Sequence, residues 1–209
     1  SKFRLNTVRE AGGAGWLRES VLNVEGSTFT NNSAMGSNAK GGDLHSEKSE
    51  MNMTAVHISS SSSSKFGGSL SLVEGSKTLI RHSRVDSTYA YSGGFAYLFG
   101  SETQLEMVAS LIRNTSAVGE NGGALYVQLA TLKLNEVNIW RSSAVLDGGA
   151  IFANTGANLV LGYSNITQSA AKHGNGGGLA LTTGTNLESN SVHFSENFAN
   201  RTGGSLYSL

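Results

Sequence analysis

Between Gly122 and Asp147 the chain reads GGALYVQLATLKLNEVNIWRSSAVLD, and its apolar residues fall at alternate positions: Leu125 and Val127, Leu132 and Leu134, Val137 and Ile139. Alternation with a period of two puts successive side chains on opposite faces, as in a strand with one buried face. An amphipathic helix needs apolar spacings of three and four, and no stretch of the chain sustains them. The segment is predicted to form three short strands joined by tight corners.

The pattern recurs along the chain. Gly-Gly pairs begin at Gly12, Gly41, Gly67, Gly93, Gly122, Gly148, Gly176 and Gly203, a mean spacing of (203 − 12)/7, or about 27 residues. A sharper column, termed the anchor, runs through Phe3, Phe29, Ile58, Val85, Ile112, Ile139, Ile166 and Phe194. Three residues after each anchor stands a small polar residue, from Asn6 and Asn32 to Ser169 and Asn197; apolar columns precede it by five and seven, with Thr78 and Ser189 as exceptions. A fixed period of this length built from short strands predicts an all-β fold. The expected architecture is a right-handed parallel β-helix, a pectin-lyase-like solenoid of about seven coils with three short strands per coil. The rival of similar period, the leucine-rich repeat, needs L-x-x-L-x-L and a helical half, and neither occurs. Repeat length varies mostly before the Gly-Gly pair, with seven residues from Ala34 to Gly41 but three from Ala90 to Gly93, so that corner is the insertion-tolerant loop.

Composition fits this architecture. The 209 residues contain no proline, as expected where nearly every strand N–H donates to a neighbouring coil. The 27 glycines answer either to a corner with positive φ or to close backbone approach. Fifteen Lys and Arg balance fifteen Asp and Glu, which excludes nucleic acid as an electrostatic partner. Without cysteine there are no disulfides or thiolate sites, and no apolar run is long enough to insert in a membrane. The chain lacks a recognisable signal peptide and starts and stops within a repeat. The expectation is one β-helix segment over 1–209, internal to a longer chain and open at both ends.

Phe29-Thr-Asn-Asn32, Phe194-Ser-Glu-Asn197 and Phe3-Arg-Leu-Asn6 match F-x-x-N, while Gly122-Gly-Ala-Leu125 and Gly148-Gly-Ala-Ile151 match G-G-A-[IL]. These tetrapeptides resemble the repeats of the polymorphic membrane proteins, the chlamydial autotransporter adhesins, and of related β-helical surface proteins. The resemblance implies a parallel β-helix in an extracellular or cell-surface protein.

Signals for chemistry are sparse. The three aspartates, Asp43, Asp86 and Asp147, fall on different edges of the repeat, so no catalytic carboxylate pair forms among them. Asp43, His45 and Glu47 alternate as if on one outward strand face, a weak metal-ligand pattern more simply read as solvated charge. A calcium nonapeptide is only half matched at Gly12-Gly-Ala-Gly15. No metal or cofactor is expected, and the chain is read as non-enzymatic. N-x-[ST] sequons at Asn31, Asn52, Asn114, Asn165 and Asn200 are candidate N-glycosylation sites, in a number that a chain this rich in Asn, Ser and Thr carries by chance. The second outward position of the first strand holds Trp16, His45, Ser71, Tyr97, Tyr126, Phe152, Ala180 and Tyr207. Tyr97, Tyr126 and Phe152 are expected to stack into an outward ladder that stabilises the coils or is covered by another part of a longer protein. The alternative is a sugar- or partner-binding strip of Trp16, Tyr97, Tyr126, Phe152 and Tyr207. The leading expectation is a structural or adhesive stalk, partnered by the rest of a longer chain or by neighbouring copies. The alternatives are a glycan-binding module using the aromatic strip and a polysaccharide-cleaving enzyme.

Overall fold

The computed structural model describes residues 1–209 and contains strands, turns and bends without a helix. Every strand pairs in parallel with its equivalents one coil before and after, building a right-handed parallel β-helix of about eight turns. The anchors lie in a single ladder, with Ile139 directly between Ile112 and Ile166. All anchors from Phe29 to Ile166 are buried, and the columns five and seven residues earlier pack with them in one continuous core. A fully buried aliphatic side chain of this kind contributes about 1.5–3 kcal/mol.

Each coil has four strands rather than the three expected. In the coil that begins at Gly122 they are Leu125–Gln128, Thr131–Asn135, Asn138–Trp140 and Ser143–Ala144. The last spans only two residues, too short to show an alternation, and is recognisable because Ala117, Ala144 and Ala171 stack in register. It holds the small residue five after the anchor, where a larger side chain would not fit the narrow corner.

Two corners flank the anchor strand, and both use left-handed backbone. The residue two after the anchor has φ between 52° and 57° in every coil, as at Asn31, Ser60, Asn114 and Arg141. The residue three before it is also left-handed, with φ between 46° and 56° at Ala55, His82, Ala109 and Glu136. Few of these residues are of a type that prefers that region, so the ladder hydrogen bonds on either side impose the turn. The two glycines of each pair serve different ends, as Gly122 and Gly123 show. Gly122 has φ +70°, while a Cβ on Gly123 would collide with the Gly149 carbonyl oxygen of the next coil and lie 2.6 Å from the Ser143 nitrogen.

From Asn32 to Ser169 the polar column three after the anchor is buried, and all of its side chains but Thr88 are hydrogen-bonded. Asn32, fully buried, accepts from the Asn6 backbone N–H at 3.0 Å and donates to the Phe3 carbonyl at 3.0 Å. At the other end Asn197 accepts from the Ser169 N–H at 2.9 Å and donates to the Ile166 carbonyl at 2.8 Å. These amides satisfy backbone groups that the corner withdraws from the ladders.

Outside the coil, Arg113 is in register with Asp86 on one side and Trp140 on the other. Its Nε donates to Asp86 at 2.8 Å, and although partial burial opposes ionisation, Arg113, Asn114, Ser87 and Arg84 together hold the Asp86 carboxyl well below the usual range. The one-coil stacking register is therefore as the spacing of 27 implies. The cation over the indole, however, is Arg141, 4.2 Å from the Trp140 ring centroid, because the Arg113 guanidinium is committed to Asp86.

Candidate functional site

The outward aromatic column forms as a ladder in its middle. Tyr97 and Tyr126 stack at 4.9 Å with an interplanar angle of 23°, and Phe152 follows Tyr126 at 5.2 Å, tilted by 45°. It is not an open strip. Phe152 is only 5% exposed, and Tyr97, Tyr126 and Tyr207 are half-buried. The Gly-Gly corner lies against the base of the column: a Cβ on Gly93 would sit 3.3 Å from the Tyr126 Cβ, and one on Gly203 would sit 3.0 Å from the Tyr207 Cβ. Phe66, just before a Gly-Gly pair, adds a ring 4.5 Å from Tyr97. Burial, and then the neighbouring Tyr126 and Glu120, push the Tyr97 hydroxyl above its ordinary range. This middle section stabilises the stack and presents little ring surface to a ligand.

Trp16 is different. It lies at the head of the same column, 57% exposed, with its ring centroid 6.1 Å from that of His45. Beside it opens a cleft of about 480 Å³, walled by Arg9, Asn38, Lys40 and Glu47. The wall is the longest of the corner loops, 35–40, and it is tied down by the Gly36 N–H to the Arg9 carbonyl at 2.7 Å and the Lys40 N–H to the Glu10 carbonyl at 2.8 Å. Its buried Ala39 carbonyl accepts from the Ser63 hydroxyl at 3.0 Å. Burial lowers the His45 pKa, so its neutral ring donates from Nε2 to Glu47 at 3.0 Å. Glu47 also pairs with Arg18 at 3.3 Å. The sequence carries a signal for this cleft in the length of the loop, but only the coil stacking puts the loop beside Trp16.

Asp43 is not on an outward face with His45 and Glu47. It is fully buried in the coil interior, where its Oδ1 accepts from Asn32 Nδ2 and Ser61 Oγ, both at 2.7 Å. The residue after a Gly-Gly pair precedes the strand and turns inward, which breaks the alternation on which the outward reading depended. No cluster of three His, Asp or Glu side chains is placed to hold a metal ion. Asp147 bridges neighbouring coils by accepting from the Asn175 N–H at 2.6 Å. The five sequon residues, Asn31, Asn52, Asn114, Asn165 and Asn200, are all exposed. Three are already engaged: Asn52 with Asn23, Asn114 with Asp86 and Asn165 with Asn138. Comparison of the chain with protein families, with curated proteins and with solved structures gives no match.

Proposed function

We propose that this chain is a rigid, non-enzymatic structural segment of an extracellular or cell-surface repeat protein, a rod that spaces or presents adhesive parts joined to it. The observation that carries this reading is the uninterrupted register of the four ladders, in which each strand pairs in parallel with its equivalent in the next coil. Such a stack is rigid along its axis because each coil is bonded to both neighbours over four strands. At about 4.8 Å per coil the seven steps between anchors span roughly 34 Å.

The aspartates favour a structural role: Asp43 is buried in a hydrogen-bonded cluster, Asp86 is held by Arg113, and Asp147 joins coils. The G-G-A-[IL] and F-x-x-N tetrapeptides favour a surface location through their resemblance to the polymorphic membrane proteins. The partners proposed are further coils of a longer chain or neighbouring copies in a surface assembly.

The test is mechanical. When Ser1 and Leu209 are pulled apart in a single-molecule trap, a load-bearing rod loses coils stepwise, each releasing about 27 residues, or roughly 90 Å of extended chain. Smooth extension without discrete steps would overturn the reading.

A further inference from the structure

We propose that a notch on the flank of the middle coils, where the corner meets the anchor strand, binds a neutral oligosaccharide, so that the rod itself holds a glycan along its side. The strands that line it, Arg84–Asp86, Leu111–Arg113, Asn138–Trp140 and Asn165–Thr167, are each paired with a coil on either side, so the notch owes nothing to an edge of the stack. It is walled by His82 and Arg84 on one side and by Glu136, Asn138, Tyr163 and Asn165 on the other. Its origin is a step in side-chain size. The left-handed corner three residues before the anchor holds His82, Ala109, Glu136 and Tyr163 in consecutive coils, and the small Ala109 leaves a gap between longer neighbours, with Leu111 beside it. The volume of about 610 Å³ is within the usual range of small-ligand sites.

The groups around the notch match a sugar. Tyr163 is 61% exposed, and its ring offers a flat apolar surface that suits the C–H face of a pyranose. Asn165 Nδ2 donates to Asn138 Oδ1 at 2.6 Å, which fixes both amides and leaves the Asn138 N–H groups and the Asn165 amide oxygen for sugar hydroxyls. Arg84 donates to Asp86 at 3.1 Å and keeps further N–H groups for a ligand, while the Glu136 carboxylate accepts. From His82 to Tyr163 is three coil steps, roughly 14 Å at about 4.8 Å per coil, which leaves room for a short oligosaccharide lying along the axis.

The site is also preorganised. Its corner backbone is held by ladder bonds, from the His82 N–H to the Val108 carbonyl at 3.1 Å, from Ala109 to Asn135 at 3.0 Å, from Glu136 to Gly162 at 3.1 Å and from Tyr163 to Asn190 at 2.9 Å. Binding therefore costs little ordering of the protein, which favours measurable affinity from a small contact. Charge refines the class. Arg84 and its neighbour Arg113 are balanced by Asp86, which both of them bind, and by Glu136, so the site has no excess of either sign and takes a neutral sugar.

The chain, produced without glycosylation so that Asn165 is bare, is titrated by calorimetry with neutral hexose oligosaccharides and, separately, with uronic-acid oligosaccharides. Saturable binding of a neutral series supports the site. Three variants are then compared with the unaltered chain on the responding series, with thermal melts to show that each is folded. Tyr163→Phe keeps the ring and is expected to retain binding, whereas Tyr163→Ala is expected to bind roughly tenfold more weakly. Ala109→Gln fills the notch, at a corner where His82 and Glu136 show that longer side chains are accommodated, and is expected to abolish binding. No saturable binding of a neutral series, a response to the acidic series alone, or equal affinity of the unaltered chain, Tyr163→Ala and Ala109→Gln overturns the proposal.

Discussion

Replacing Asp43 with Asn removes one buried charge while nearly preserving shape. The carboxylate is fully buried; the side chains that bond it, Asn32 and Ser61, are both neutral, and its Oδ2 has no partner. Burial raises its pKa from 3.8 to about 6, only partly offset by those hydrogen bonds. Between these values the folded chain retains a proton that the unfolded chain has released. The contribution of this group to stability is therefore greatest below pH 4 and declines as pH rises toward the folded pKa. The difference of about 2 pKa units corresponds to roughly 3 kcal/mol, complete once pH exceeds the folded value. In Asp43→Asn the amide oxygen keeps the bonds from Asn32 and Ser61 and there is no charge to bury, so this pH-dependent loss disappears. Urea unfolding of both proteins from pH 4 to 8, followed by tryptophan fluorescence, isolates the effect because other titrating groups cancel in the difference. The variant is expected to gain on the parent by about 3 kcal/mol from the acidic to the neutral end. Parallel stability curves across that range would refute the assignment of a charged, uncompensated carboxylate to the core.

Ile139→Ala opens a cavity between Ile112 and Ile166 in the anchor ladder and is expected to cost 2–5 kcal/mol, read as a lowered denaturation midpoint. An unchanged midpoint would contradict the packing of that column. Ala55→Gly relieves a left-handed corner, φ 52°, at an exposed position where no packing is lost, and is expected to stabilise by about 1 kcal/mol; a lowered melting temperature would show that the corner carries no strain.

The repeat, the identity of the buried columns and the one-coil register were legible in the sequence, because a solenoid brings residues one period apart into contact. Ile112, Ile139 and Ile166 pair as their spacing of 27 requires, and Arg113 meets Asp86 for the same reason. Alternation also identified Tyr97 and Tyr126 as outward. It could not show how far they are covered, since cover depends on the rings that pack against them and not on which face a side chain takes. The left-handed corners were equally hidden: Asn31, Ser60, Arg141 and Glu196 share a backbone conformation but no side-chain property. Asp43 was misread as outward because strand alternation was extended past the point where the strand begins. The sequence by itself determined the coil, its period and its core through local periodicity. The tertiary structure alone decided which outward residues are covered, because burial at Phe152 depends on what neighbouring coils pack against it.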